Sequence, residues 1–197
     1  MITEDDVWSI VDPEDLWALD KLILSRKLGY KCGPIGYDVK IPGWYIVRPC
    51  VNMMGLGLGT SKTWLDDDTT HLPIGSFWCE FFEGRHISVD YIDGKQVLAV
   101  EGTKSNDTFT RWEKWTRVED VVPMPGILQD LSDRYKTINC EFIGKNLIEV
   151  HLRGNPDFNE DISEFIPVWD LKKDLTTEGY RFVHCPEYHG RIGAWVK

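Results

Sequence analysis

The chain has 197 residues and a mass of 22.8 kDa, with 42% hydrophobic and 27% charged residues, a composition typical of one globular domain or two small lobes. Its formal net charge of -10 repels phosphate groups, so nonspecific binding of DNA or RNA is disfavoured. No apolar run approaches the roughly 20 residues of a membrane-spanning helix, and the acidic N-terminus lacks the basic and apolar regions of a secretory signal. We expect a cytoplasmic protein that binds neither nucleic acid nor a membrane.

The five cysteines and five histidines lie far apart in the sequence. They include no close cysteine pair of the zinc-ribbon or thioredoxin type, so we predict reduced and mostly buried thiols. Scattered histidines are more often packing or surface residues than zinc ligands, and we predict no structural metal.

The first predicted element is one helix over roughly 13–28. Asp12 is a good N-cap, Pro13 suits the first helical position, and acidic residues follow in the first turn. Leucines and isoleucines then form a broad apolar face, and Gly29 supplies the stop after two basic residues.

A strand and a glycine-rich loop come next. The β-branched and aromatic run 44–47 predicts the strand, and it leads into a loop in which Gly55, Gly57 and Gly59 alternate with larger residues. Because glycine has no Cβ, the backbone amides of such a loop can approach a ligand closely. The spacing matches neither the P-loop nor the dinucleotide-binding fingerprint.

The rest of the chain is predicted to be rich in antiparallel strands. Alternation and tight turns predict strands over 77–82, 86–92, 96–100, 137–143, 146–152 and 165–169, a short helix over 127–136, and a final hairpin across 188–191. Aromatic and charged residues alternate in the Trp-rich segment 108–122, which we interpret as packing because the net charge opposes base stacking.

Charged residues recur along these elements in a particular order. The helix carries Lys21, the first strand ends in Arg48 before the glycine loop, and a later strand contains Glu80. Glu141 and Glu149 follow on two strands joined by a tight turn. In this order of elements and residues the chain resembles the ATP-grasp superfamily.

The resemblance covers about residues 16–158 and implies an α+β ATP-grasp fold of two small α/β lobes with antiparallel sheets. It implies an N-terminal lobe at 1–75, with the first helix and the glycine loop, and a C-terminal lobe at 76–197. The customary lobe before the ATP-binding region is expected to be absent, and a partner protein is one source of that missing part. The implied activity is an ATP-dependent carboxylate–amine ligase that forms an amide through an acyl phosphate.

The resemblance also implies ATP and Mg²⁺ as cofactors, and a carboxylate and an amine, carried by a peptide or protein, as the substrates. The implied nucleotide-binding residues are Lys21, Arg48, Gly55, Gly57, Gly59, Glu80, Phe82 and His86. The implied metal ligands are Glu141, Glu149 and His151, and the implied catalytic residues are Arg48 and Arg153. These residue types suit phosphoryl transfer, which needs cations on the phosphates and a divalent ion between the β and γ oxygens.

Several features depart from the superfamily's pattern. Arg48 stands where most members have lysine, an exchange that one branch shares, and His151 stands where asparagine usually completes the metal site. His86 replaces a frequent ribose-contacting glutamate, and the step from Lys21 to Gly29 is shorter than usual by about one helical turn.

Other interpretations stay open. Lys21 also suits the solvated face of an amphipathic helix, the glycine loop suits a plain hairpin, and the two glutamates suit an exposed acidic face. For the function, the alternatives are a catalytically decayed ATP-grasp domain that binds nucleotide or serves as a structural protein, and an unrelated β-rich interaction module.

Overall fold

The computed structural model describes residues 4–51, 57–104, 109, 111–159, 161–170, 174–185 and 190–197. The α-helices are α1 (Glu4–Ile10), α2 (Lys21–Lys27) and α3 (Gln129–Ser132), and 3₁₀ helices lie at Pro13–Ala18, Gly126–Leu128 and Thr176–Glu178. The strands are β1 (Cys32–Pro34), β2 (Gly43–Pro49), β3 (Ser61–Leu65), β4 (Ser76–Glu80), β5 (His86–Ile92), β6 (Lys95–Thr103), β7 (Lys114–Arg117), β8 (Thr137–Ile143), β9 (Asn146–His151), β10 (Glu164–Val168), β11 (Arg181–Val183) and β12 (Gly193–Val196). The predicted α+β class with antiparallel sheets is confirmed.

The prediction of one helix over 13–28 is wrong, because the chain starts a second helix at Asp20. Asp12 caps a helix with Pro at its first position, as predicted, but that helix is of the 3₁₀ type and ends before residue 20. Oδ1 of Asp20 then accepts a hydrogen bond from the backbone amide of Ile23 at 2.9 Å, and Asp20 is the N-cap of α2. Lys21 is therefore the first residue of a short helix, which accounts for its small separation from the helix stop.

The first sheet has four strands in the order β1-β4-β2-β3. Because side chains alternate along a strand, Tyr45 and Val47 lie in an apolar core with Trp78, and Arg48 lies on the other face. Phe77 is the register partner of Arg48 and shares that face. The sheet includes β4, so the predicted lobe boundary between residues 75 and 76 falls just before a strand of the first sheet.

The second sheet has eight strands in the order β11-β12-β10-β7-β6-β5-β8-β9. The predicted tight turn between β5 and β6 is present, with left-handed backbone at Asp93 and Gly94. At the other end of the sheet β11 pairs with β12, in agreement with a final hairpin. Residues 186–189, where part of its turn was predicted, lie outside the described residues.

The core lies on both faces of the second sheet. On one face Val89 and Cys140 pack with Leu24 of α2 in the larger apolar cluster. On the other face Val100 and Phe165 belong to a smaller cluster. On that second face β5 and β8 carry the buried polar residues Ser88, Asp90 and Asn139, and each of these side chains needs a partner.

Two further expectations can be compared with the structure. All five cysteines are free thiols; Cys79 and Cys140 are buried, and the others are partly buried. No described helix is long and apolar enough to cross a membrane.

Candidate active site

Two glutamates face each other across the hairpin of β8 and β9. Glu141 is the register partner of Glu149, and a bulge follows Glu141 in the ladder. Their side chains are 25% and 14% exposed, so both carboxylates are largely withdrawn from water. Their neighbours Cys140 and Val150 lie in the core. The hairpin therefore has an acidic face opposite an apolar one, as strand alternation predicts.

Polar and cationic neighbours keep both carboxylates ionised. Burial raises the pKa of Glu149, but the charge of Lys21 and the hydrogen bond with His151 outweigh burial and hold that pKa well below its ordinary value. Burial likewise opposes ionisation of Glu141, and the hydrogen bond with His86 helps to lower the pKa of that carboxyl. Two like charges so close together are stable because these neighbours compensate them.

Helix α2 brings Lys21 to these carboxylates. The backbone amide of Lys21 donates to the carbonyl of Cys50 at 2.7 Å, which fixes the start of the helix beside the end of β2. The residue is 8% exposed, and its Nζ lies 3.3 Å from Oε1 of Glu149. The alternative of a solvated charge on an amphipathic helix is therefore wrong for Lys21.

Arg48 reaches the same hairpin from the first sheet. The residue is buried, and its guanidinium lies over the ring of Phe77, with Cζ 5.4 Å from the centroid. Nη2 donates to the carbonyl of Ile148, the residue before Glu149, at 2.8 Å. Among the described residues the buried Nε of Arg48 has no hydrogen-bond partner. A charged donor of this kind suits an anionic ligand.

Two histidines complete the cluster. Nε2 of His151 lies 3.3 Å from Oε1 of Glu149 and 3.9 Å from Oε1 of Glu141. Nε2 of His86 lies 3.0 Å from Oε2 of Glu141, and its ring is edge-on to Trp112 with 4.5 Å between centroids. His86 therefore contacts Glu141, a carboxylate that was predicted to bind metal. Trp112 of the Trp-rich segment packs against the His86 ring.

This donor set suits a divalent cation and a polyphosphate. Mg²⁺ prefers carboxylate oxygens, and the ionised Glu141 and Glu149 offer them at one place. Phosphates need cationic donors, which Lys21 and Arg48 supply. Within the described ranges no three His, Cys, Asp or Glu side chains form a ready-made metal site. The carboxylate oxygens are instead engaged by Lys21 and the histidines.

Arg153 lies just beyond β9, four positions after Glu149. It is partly buried, and its Nη1 donates to the carbonyl of Gly154 at 3.0 Å. The residue predicted to contact the transferred phosphate thus belongs to the turn that follows the second glutamate strand.

The glycine loop is described only in part, and Gly55 lies outside the described residues. Gly57 and Gly59 have φ values of 68° and 75°, a conformation that other residues rarely adopt. A Cβ on Gly57 would lie 2.1 Å from the carbonyl oxygen of Phe109. The loop after β2 therefore comes very close to the segment between β6 and β7.

Glu80 and Phe82, predicted to contact adenosine, lie where the chain passes from the first sheet to the second. Oε1 of Glu80 accepts the backbone amide of Lys31 at 3.0 Å. The ring of Phe82 is edge-on to Tyr30, with 4.7 Å between centroids. Both side chains are held beside the start of β1, and their contact with adenosine stays a prediction.

No protein-family model and no curated protein matches the sequence. Among solved structures, the chain is similar to a protein of Archaeoglobus fulgidus assigned to the ATP-grasp superfamily (TM-score 0.44, 17% identity, covering 70% of this chain and 46% of that one). It is also similar to the ATP-grasp ligase PsnB complexed with minimal precursor, Mg and ADP (TM-score 0.43, 14% identity, covering 73% and 53%). A third is the L-amino acid ligase of Bacillus licheniformis (TM-score 0.42, 12% identity, covering 77% and 45%). The chain spans about half the length of these proteins.

The first two of these structures carry the name of the superfamily that the sequence resembles.

Sequence reasoning missed three buried polar residues next to the site, Ser88, Asp90 and Asn139. Nδ2 of Asn139 donates to Oγ of Ser88 and to Oδ1 of Asp90, both at 2.8 Å. The signal was present in the sequence, because polar residues in the middle of apolar strands need buried partners. Only the register shows that Asp90 and Asn139 lie opposite each other.

Proposed function

We propose that this protein is an ATP-dependent ligase of the ATP-grasp type that joins a carboxylate to an amine. ATP transfers its γ-phosphoryl group to the carboxylate and leaves as ADP. The amine then attacks the acyl phosphate, and the amide forms with release of inorganic phosphate and a proton. The proposal assigns the carboxylate to a peptide or protein, as the sequence resemblance implies, and includes a cytoplasmic location.

One observation carries the proposal, namely the cluster of opposite charges where the two sheets meet. Lys21 and Arg48 come from the first 80 residues, and Glu141 and Glu149 come from the second sheet. In a protein with a net charge of -10, the buried cations Lys21 and Arg48 favour an anion at this cluster. A nucleotide with its divalent ion satisfies both signs of charge, because its phosphates bind the cations and the ion binds the carboxylates.

The roles follow from the chemistry of each side chain. Lys21 and Arg48 bind the phosphates, and the planar guanidinium of Arg48 offers two parallel donors. Glu141 and Glu149 hold Mg²⁺, which when bound neutralises charge that develops on the phosphate oxygens. Arg153 contacts the phosphoryl group during its transfer.

The remaining residues of the proposal shape the site. Glu80 and Phe82 receive the adenosine, and the glycine loop covers the phosphates with backbone amides. His86 orients Glu141 through its 3.0 Å contact, and His151 does the same for Glu149 at 3.3 Å. In this proposal the two histidines therefore act by orienting the metal-binding carboxylates.

The test is calorimetric titration of the purified chain with the ATP analogue AMP-PNP, with and without Mg²⁺. We expect micromolar binding that requires Mg²⁺. Glu149→Gln keeps the shape of the side chain but removes its charge, and we expect it to weaken binding at least about tenfold, or ~1.4 kcal/mol. The matched control is Glu14→Gln at an exposed position of the first 3₁₀ helix, which should bind like wild type. A screen of carboxylates and amines for phosphate release from ATP would then identify the substrates.

A second candidate function is a decayed domain that binds nucleotide without catalysis. The ion pair of Lys21 with Glu149 and the contacts of both histidines with the carboxylates favour it, because these contacts satisfy the carboxylates without a metal. Binding of AMP-PNP that neither Mg²⁺ nor Glu149→Gln affects would support this candidate over the ligase. A lack of binding in every condition would contradict both.

A further inference from the structure

Asp90 is a buried carboxylate on β5 for which the proposed reaction has no role. The residue is 8% exposed and lies opposite Asn139 of β8. Oδ1 of Asp90 accepts a hydrogen bond from Nδ2 of Asn139 at 2.8 Å, and that amide also donates to Ser88. The carboxylate is therefore held in one orientation by neighbours within the sheet.

Both oxygens of Asp90 also accept from the chain that follows β9. The backbone amide of Asn155 lies 3.0 Å from Oδ1 and 2.9 Å from Oδ2. Gly154 approaches so closely that a Cβ there would lie 3.3 Å from Oδ2 of Asp90. Asp90 thus fixes the backbone of residues 154 and 155 against β5.

Arg153 begins the turn that Asp90 holds. Its Nη1 donates to the carbonyl of Gly154, so the position of that peptide affects the position of the guanidinium. Burial raises the pKa of Asp90, whereas the hydrogen bonds from Asn155 and Asn139 and the charge of Arg153 oppose this rise. The positive charge of Arg153 therefore favours the ionised form of this carboxylate.

The same turn has a second attachment at its far end. Oδ1 of Asn155 accepts the backbone amide of Asp157 at 2.9 Å. The carboxylate of Asp157 binds the buried Arg191 through two hydrogen bonds of 2.8 Å. With its far end attached there, the turn depends on Asp90 for the position of its near end, which carries Arg153.

We propose that Asp90 is a positioning residue that fixes the turn after β9 and thereby orients Arg153 toward the terminal phosphate of the nucleotide. The inference rests on the proposed function, since it needs a bound nucleotide. Asp90 touches no phosphate itself, and Asn139 keeps its carboxylate in place.

The experiment compares binding of AMP-PNP and ADP, both with Mg²⁺, by calorimetry. Arg153→Ala should lower the affinity for AMP-PNP about tenfold and leave that for ADP within twofold, because only AMP-PNP has the third phosphate. Asp90→Ala should give the same pattern. The double variant should lose no more than either single variant, since both act through one guanidinium. Asp38→Ala at an exposed position is the control and should bind both nucleotides like wild type.

A rescue separates positioning from general stability. Asp90→Asn combined with Asn139→Asp keeps an amide–carboxylate pair between β5 and β8, and a side-chain oxygen at position 90 for the Asn155 amide. We expect this exchange to recover most of the preference for AMP-PNP that Asp90→Ala loses. Thermal unfolding of each variant shows whether it folds. If Asp90→Ala does not fold, the exchanged pair itself serves as the test.

Three outcomes contradict the inference. If Asp90→Ala leaves the preference for AMP-PNP unchanged, or lowers the affinity for both nucleotides equally, Asp90 does not orient Arg153. If the exchange folds but lacks the preference, the amide–carboxylate pair is insufficient and the inference also fails. If wild type binds neither nucleotide, the proposed function fails and Asp90 loses its role with it, a result that the first two outcomes do not produce.

Discussion

Nζ of Lys21 lies 3.3 Å from Oε1 of Glu149, so a cation expected to bind phosphate and a carboxylate expected to bind metal neutralise each other. The pair joins the first residue of α2 to the ninth strand of the chain. When a nucleotide binds with Mg²⁺, its phosphates would pair with Lys21 and the Mg²⁺ ion would pair with Glu149. The ion pair therefore keeps two buried charges compensated when no ligand is bound.

This relationship predicts opposite effects of Lys21→Met on two ligands. Without the ammonium, Glu149 loses its competing cation, and we expect the affinity for Mn²⁺ alone to rise several-fold. The affinity for AMP-PNP should fall about tenfold, because a phosphate contact is lost. Electron paramagnetic resonance of free Mn²⁺ measures the first effect and calorimetry the second.

The control is Lys40→Met, which removes the same charge from an exposed position and should change neither affinity. If Lys21→Met lowers the affinity for the metal as well as for the nucleotide, Lys21 is a structural partner of Glu149 and does not compete with the ion.

The second sheet shows how far the sequence alone could go. The strands predicted at 86–92 and 137–143 begin and end at those residues in the structure. Their alternation is regular, and the tight turn at Asp93 and Gly94 sets the register of the first hairpin. Local pattern and turn chemistry were sufficient there because both act over a few residues.

The first helix and the site show where local pattern was insufficient. Nothing in the apolar periodicity of 13–28 indicates that Asp20 would cap a second helix, since capping depends on where the chain must turn. The contact of Arg48 with Ile148, and of Asp90 with Asn155, joins residues far apart in the sequence. Such contacts depend on the packing of two sheets, and the sequence pattern specifies which residues are polar but not which of them meet.

The buried carboxylate of Asp15 makes the stability of the protein depend on pH. Asp15 accepts hydrogen bonds from Nε of Arg134 at 2.9 Å and from the hydroxyl of Tyr135 at 2.9 Å. The hydrogen bond from Arg134 lowers the pKa of Asp15 below its ordinary value. The stabilisation is therefore fully present above the unfolded pKa of about 3.9 and is lost as the pH falls through the lower folded value.

We expect Asp15→Asn to lower the free energy of unfolding by about 2 kcal/mol at pH 7, as for hydrogen bonds to charged groups. The difference between variant and wild type should shrink as the pH falls below about 3.9. Urea denaturation of the variant and of wild type, at pH 7 and again below about pH 3.9, measures this difference in the free energy of unfolding (the pH limit is the approximate unfolded pKa of aspartate). Asp38→Asn at an exposed position is the control, and a difference that is equally large at low pH would contradict the argument.

The buried cysteines should resist alkylation in the folded protein. Burial raises the pKa of the Cys79 thiol to about 12, and burial also raises the pKa of Cys140. At pH 8 the Cys79 side chain is therefore almost entirely the unreactive thiol. We expect iodoacetamide to leave both residues unmodified in native protein and to modify both in 8 M urea (roughly the concentration that unfolds small domains), as peptide mass spectrometry would detect. Fast modification of Cys79 in the native state would contradict its burial on β4.

Gly57 should be needed for nucleotide binding because no side chain fits at its position. Its φ of 68° disfavours other residues, and a Cβ would lie 2.1 Å from the carbonyl oxygen of Phe109. Gly36 is the matched control, since it has a φ of 78° but no atom within 4 Å of its Cβ position. Both substitutions to alanine carry the left-handed cost of about 1 kcal/mol, but only Gly57→Ala also forces the loop away from the segment after β6.

We therefore expect Gly36→Ala to lower the melting temperature by about 2–4 °C and Gly57→Ala to lower it by more, because only Gly57→Ala adds a clash with Phe109. Only Gly57→Ala should weaken AMP-PNP binding, by at least fivefold (about 1 kcal/mol), because the loop amides that would cover the phosphates are displaced. Calorimetry on both variants makes the comparison. Equal nucleotide affinities would mean that the loop binds no phosphate, and its close approach to Phe109 would then be packing between two loops and nothing more.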